Sequence, residues 1–400
     1  MAGCWREYDV VVVGGGPTGC VAAKTAARLG VSVLLVDKKL EPGTPVECAE
    51  AVGREVFEKL GIPVQERWIA ARIKGIRLVA PNGVGIRLEE RSTLKSKVGY
   101  VLERKIFEKD LLAFAIREGA ETLLGAYVYD VVMDGKSVKG VRVRFRGETR
   151  EIGAKVVIGA DGISSGVGRL AGLDTTLRPD QVEAGAQYEM VGVDLEDSET
   201  LEFYFGSKIA PGGYAWIFPK GEDTANVGLG VVPTLASGNA WHYLDKFVST
   251  QAKLKKAQVL EINFGGIPGS EPVKKSVAPG LLLAGDAARH ADPLTGGGIA
   301  NGMLAGSMAA ETAVKAVQAG DTSEESLMEY ERSWRREFGK KLEKTFRIRK
   351  VLQELSDEDL NRLAEALKAR GDVEELSSMG IVRTLFKLKP QILFKLKDLI

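Results

Sequence analysis

Three glycines spaced as Gly14-x-Gly16-x-x-Gly19 follow an apolar run and open a helical pattern. That spacing suits a backbone that must wrap a pyrophosphate. Gly14 permits a tight turn, Gly16 lets the main chain approach the phosphate, and Gly19 lets the helix pack close to a sheet. Thr18 lies in the same turn, GGGPTG, where the unpaired N–H groups of a helix start attract negative charge. Asp37 ends the next apolar run, at the place where a carboxylate accepts hydrogen bonds from ribose hydroxyls. The pattern predicts a bound dinucleotide; the bland alternative is a glycine-rich turn with no ligand.

Two distant motifs narrow the ligand. GADG, Gly159–Gly162, ends an apolar run, with Arg169 a short distance beyond. In AGDAARHADPLTGGGIANG, Ala284–Gly302, Asp286 stands at a strand end and a glycine-rich turn leads into a helix. Together they resemble the FAD-binding pattern of the p-hydroxybenzoate hydroxylase-like flavoproteins, over residues 1–175 and 275–320. In that reading Asp286 bonds a ribityl hydroxyl; its alternative is a helix cap. The backbone N–H groups of Gly298 and Ile299, at a helix N-terminus, stabilise the negative charge of a reduced flavin. The resemblance also implies that Arg104 reaches the FAD and that the backbone at Val128 approaches the adenine. By residue type alone Arg104 is a surface arginine and Val128 an apolar strand residue.

Pro211-x-x-Tyr214-x-Trp216-x-Phe218-Pro219, followed by Asn226, Gly228 and Gly230, resembles the PxxYxWxFP signature of the geranylgeranyl reductase family. PVECAEAVG resembles that family's cysteine-containing FAD loop, which implies that Cys48, Ala49 and Ala51 line the cofactor. Here the loop reads CAEA where the family pattern has glycine at one or both alanines. The likeness spans nearly the whole chain and is nearest to archaeal digeranylgeranylglycerophospholipid reductases. It implies FAD-dependent saturation of isoprenoid chains in membrane lipid precursors. Tyr214, Trp216 and Phe218 alternate along a strand, so they share one face, either as the wall of an apolar channel or as plain core. Cys48 either contacts or gates the substrate, or is a small buried apolar residue. His290, close to the flavin motif, receives no role.

The isoprenoid substrate needs a reduced flavin, and no second GxGxxG occurs in the chain. The donor is therefore transient NAD(P)H or a separate carrier such as ferredoxin. Reduction of free geranylgeranyl diphosphate or a related prenyl group, an FAD-dependent monooxygenase, and a non-catalytic flavin-bound electron carrier are the competing readings.

The elements that must position these residues follow from periodicity. Tyr8–Val13 and Val31–Val36 read as parallel strands flanking a helix over Pro17–Leu29 that Gly30 terminates. Residues 74–90 alternate around Pro81-Asn82-Gly83 as a hairpin, and a helix follows from Glu103 to Glu118. Strands are predicted at Glu121–Val132, Gly140–Phe145 and Lys155–Gly159. Period-two runs between Val182 and Phe264 predict an antiparallel sheet, broken by a helix at Ala240–Thr250. The fold class is α/β, as an α+β composite: a Rossmann-type FAD-binding domain with a parallel sheet (1–70, 101–175, 275–320), an antiparallel-sheet substrate domain (71–100, 176–274) and a C-terminal helical region (321–400).

The bulk properties exclude other classes. A net charge of +1 gives no basic field for nucleic acid. Cys4, Cys20 and Cys48 form no CxxC pair, which argues for a reducing compartment and against a zinc or iron–sulfur site; no metal is expected. No apolar run approaches the roughly 18–20 residues that span a bilayer. The chain is read as cytoplasmic. Peripheral membrane contact is allowed by the tail Val382–Leu399, which sets Arg383, Lys387, Lys389, Lys395 and Lys397 among leucines and phenylalanines; the alternative is a terminal helix docked on its own core, and Pro390 breaks the pattern.

Overall fold

Valine and leucine dominate Tyr8–Val13 and Val33–Asp37, and both runs are almost wholly buried. Branched chains stiff at χ1 favour extended backbone, and burial on both faces favours a parallel neighbour. In the computed structural model, which describes residues 7–89 and 99–369, the two strands pair in parallel. The basic tail segment and Cys4 lie outside the described residues. Between the two strands runs the helix Pro17–Arg28, with Pro17 in its first turn, where a missing N–H costs nothing, and Gly30 at φ +86° just beyond its end.

The described residues form two compact units: 7–44, 104–177 and 270–343 make the first; 45–89, 99–103, 178–269 and 344–369 make the second. Residues 45–70 therefore group with the second unit. The C-terminal helices do not form a unit of their own.

In the first unit Tyr8–Val13 lies parallel to Glu148–Gly159 on one side and to Val33–Asp37 on the other, with Leu281–Leu283 beyond the former and Glu121–Leu124 beyond the latter. Five parallel strands thus place the end of the first strand at the sheet's centre. The strand predicted over Glu121–Val132 is two. Gly125, at φ +75°, turns the chain out of the parallel sheet, and Tyr127–Asp134 joins an antiparallel meander with Ser137–Phe145 and Glu148–Gly159. The helix Arg104–Arg117 falls where expected.

The second unit holds a seven-stranded sheet in the order Gln258–Pro268, Val182–Val191, Thr224–Val231, Tyr214–Pro219, Thr200–Tyr204, Gly75–Val79, Gly85–Glu89. It is antiparallel except at one junction, where Thr200–Tyr204 pairs in parallel with Gly75–Val79. Those strands come from separate excursions of the chain, so no turn dictates their direction. Helix Ala240–Thr250, started by the Asn239 side chain accepting from His242 N–H, packs Tyr243, Leu244 and Phe247 on one face with Met190, Val227 and Leu229. The opposite face gathers Trp216 and Phe218 with Ile86, Leu88, Leu363 and Leu367. Among the described residues no helix is long and apolar enough to cross a membrane.

Candidate functional site

Gly14 adopts φ +107°, and a Cβ there would overlap the Ala160 carbonyl, at the start of the second motif. A Cβ on Gly19 would overlap the Gly14 carbonyl oxygen, while the space beside Gly16 is open. The helix behind them has no side-chain cap, so its first N–H groups face that space with the positive end of the helix dipole. Asp37 is buried and oriented: Oδ2 accepts from Gly15 N–H at 2.6 Å and Oδ1 from Lys39 N–H at 2.8 Å. Each oxygen keeps a lone pair for a ribose hydroxyl. This cradle fits the pyrophosphate and ribose of FAD.

Thr18 takes a different place from its neighbours in the turn. Cβ atoms built on Gly302 or Gly285 would collide with its hydroxyl, so Thr18 occupies the seam where Pro17–Arg28 meets Ile299–Ala319. At the sheet's other strand end, Asp286 follows Gly285, whose φ is +67°, and Gly298 lies so close that a Cβ on it would stand 3.1 Å from Asp286 Oδ1. Asp286, Gly298 and Ile299 are thereby brought together at an uncapped helix start. Desolvation pushes the Asp286 carboxyl pKa up, opposed by the positive charge of Arg104. Arg104 itself is ion-paired with the buried Glu108 one turn along its helix. Val128 lies partly buried in Tyr127–Asp134, against the first unit's core.

One residue the sequence reading named only inside a motif is Asp161. Its Oδ2 accepts from Val167 N–H at 3.0 Å, its buried Oδ1 has no partner among the described residues, and burial raises its pKa. His290 is fully buried between Trp334 (ring centroids 4.5 Å apart) and Phe338 (5.2 Å). Neither ring nitrogen has a partner among the described residues, and burial, with Arg335 adding to it, lowers its pKa from 6.5 to about 3. It is a neutral core residue, unsuited to proton transfer at neutral pH.

In the second unit the strand register makes rows across one sheet face: Phe218–Asn226–Glu189, Trp216–Gly228–Gln187 and Tyr214–Gly230–Gly185. Tyr214, Trp216 and Phe218 share that face, as their alternation requires, and Phe203 joins them, 5.3 Å from Tyr214 and 5.1 Å from Phe218 between centroids. Gly228 is the floor beneath Trp216; a Cβ there would stand 2.5 Å from the indole. Trp216 and Phe218 are buried and Tyr214 half-buried, so the three are partly core and partly accessible wall.

The same face holds the Cys48 loop. Trp216 Nε1 donates to Gln187 Oε1, and Gln187 Nε2 donates to the Cys48 carbonyl, both at 3.0 Å. Asn226 Nδ2 donates to Glu50 Oε2 at 2.7 Å. Glu50 N–H donates to Cys48 Sγ at 3.2 Å, and Ala49 and Ala51 pack against the aromatic cluster. Cys48 is half-buried, whereas Cys20 is buried and its thiol pKa raised by burial. Sequence reasoning missed Gln187, Glu50 and Lys220. For Gln187 the available signal was the alternation of Glu183, Gln187 and Glu189, polar at three of the four inward positions of Glu183–Glu189, where a core face would be apolar.

A geranylgeranyl reductase catalytic domain family matches residues 181–267, and a pyridine nucleotide-disulphide oxidoreductase family matches residues 8–189. The digeranylgeranylglycerophospholipid reductase of Methanothrix thermoacetophila is 44% identical, over 98% of this chain and 99% of its own. That of Methanosarcina acetivorans is 43% identical, over 98% of this chain and 96% of its own. The crystal structure of a geranylgeranyl bacteriochlorophyll reductase-like protein from Thermoplasma acidophilum has a TM-score of 0.92 at 36% identity, covering 99% of this chain and all of that one. The p-nitrophenol 4-monooxygenase of Pseudomonas putida, at 18% identity and a TM-score of 0.72 over 96% of this chain and 98% of its own, shares the fold.

Proposed function

The chain belongs to the digeranylgeranylglycerophospholipid reductase family, and from that premise we propose that it saturates the double bonds of geranylgeranyl chains in an archaeal-type glycerophospholipid precursor. Full-length identity to reductases of that name carries the reading. FAD, when bound, supplies hydride at its N5. The first unit's part is to hold it: Gly14, Gly16 and Gly19 at the pyrophosphate, Asp37 at the ribose, Val128 near the adenine, and Arg104, Asp286, Gly298 and Ile299 toward the ribityl chain and ring. Thr18 supports the turn from the helix seam.

An isolated trisubstituted alkene has no carbonyl to polarise, so the chain contributes orientation and exclusion of water more than acid strength. Tyr214, Trp216 and Phe218 give the isoprenoid a flat apolar wall. Cys48, Ala49 and Ala51 form the loop bordering that wall. The flavin is recharged by an outside donor, NAD(P)H or a ferredoxin. The basic tail 382–400 holds the enzyme at an anionic lipid surface; its removal is expected to weaken liposome binding in a flotation assay without loss of FAD.

The decisive experiment is anaerobic incubation with dithionite and digeranylgeranylglyceryl phosphate, followed by mass spectrometry of the lipid. Mass gains in steps of two hydrogens are expected. An unchanged lipid beside fully reduced, bound FAD overturns this substrate and directs the search to free geranylgeranyl diphosphate.

A further inference from the structure

On the Cys48 side of the sheet the buried Lys220 ammonium sets its three N–H donors against three carboxylates: Glu50 at 2.8 Å, Glu189 at 2.9 Å and Glu103 at 3.1 Å. The Lys220 side chain is 3% exposed and that of Glu50 1%. An ammonium so desolvated is tolerated only where such partners surround it. The four groups come from four places in the second unit: the Cys48 loop, the strand Val182–Val191, the turn after Tyr214–Pro219, and the residue following Gly99–Leu102. Glu50 has a left-handed backbone, φ +70°, a strained conformation that a residue with a Cβ keeps only when its surroundings over-determine it. Its surroundings do so: Leu102 N–H bonds its carbonyl at 3.0 Å, Asn226 its carboxylate at 2.7 Å, and its own N–H the Cys48 sulfur.

We propose that Lys220, acting through Glu50, is a positioning residue that fixes the Cys48 loop against the aromatic face and so sets the border of the lipid site. The proposal rests on the reading that this loop borders the isoprenoid chain. Lys220 serves as an anchor and not as the source of the proton: burial pulls its pKa down, but the carboxylates led by Glu50 outweigh burial and raise it, so the ammonium holds its protons.

The test follows Cys48 itself in FAD-loaded full-length enzyme, on a Cys4→Ser background, with Cys20 buried. Lys220→Met is expected to speed modification of Cys48 by an aromatic disulfide reagent at least about tenfold, the ratio that 1.4 kcal/mol gives. It is also expected to lower kcat and raise KM for digeranylgeranylglyceryl phosphate at unchanged flavin content. Glu50→Gln keeps an amide oxygen for Asn226 but breaks the ion pair; it carries the same expectation should Lys220→Met not fold. An unchanged labelling rate in either folded, flavin-loaded variant overturns the proposal. Accelerated labelling with unaltered kcat and KM upholds the anchor and overturns the reading beneath it, an outcome that full activity of Cys48→Ala identifies independently.

Discussion

A side chain on Gly19 would collide with the Gly14 carbonyl, so the helix could not sit where it presents its N–H groups to phosphate. Gly19→Val is expected to reduce FAD content at least about tenfold, given that each 1.4 kcal/mol of distortion is tenfold in affinity. The ratio of flavin to protein absorbance in the purified variant checks this; full occupancy would mean the turn can yield. His290 gives a second test at this scale. Its folded pKa is about 3 against 6.5 when solvated, so below 6.5 the unfolded chain binds the extra proton. Stability present above pH 6.5 is then lost as pH falls toward 3, with a slope approaching about 1.4 kcal/mol per pH unit. Denaturant midpoints across that window should show a shallower fall in His290→Phe, while the pH dependence of turnover stays unmoved.

At the scale of elements, the pairing of Tyr214–Pro219 with Thr224–Val231 puts a glycine beneath each of two aromatics, Gly228 under Trp216 and Gly230 beside Tyr214. Gly228→Ala should tilt the indole off its bond to Gln187 and narrow the wall. KM for the lipid is expected to rise roughly tenfold, the usual effect of a misfit methyl group in an apolar pocket. Flavin content is expected to hold, since the change lies in the second unit; steady-state kinetics beside a flavin assay distinguish the two. The helix Ala240–Thr250 fell where it was expected, and the Asn239 side chain caps its start. The Glu121–Val132 strand did not, because Gly125 breaks a run whose hydrophobicity continues on both sides.

Across the second unit as a whole, Glu183 and Arg349 form a buried ion pair tying the strand Val182–Val191 to the helix Lys340–Gln353. Gly213 and Gly230 leave room for the carboxylate and Gly269 for the guanidinium. Burial raises the Glu183 pKa and the Arg349 charge opposes it. Arg349→Met strands a buried carboxylate and is expected to cost about 3–5 kcal/mol, whereas the double change Arg349→Met with Glu183→Leu should cost less. Chemical denaturation of both variants decides it; equal losses would assign the effect to packing.

The glycine spacing, Asp37, the Asp286 turn and the PxxYxWxFP run were legible in the sequence because each is local. A φ above zero, a helix start or a two-residue period leaves its mark on adjacent residues. The parallel junction between Thr200–Tyr204 and Gly75–Val79 left no such mark, since no turn joins those strands. Nor did the ring of carboxylates around Lys220, whose members are scattered from Glu50 to Lys220 and look like ordinary solvated charges one by one. Their meeting depends on sheet register and on burial, and both exist only once the chain has folded.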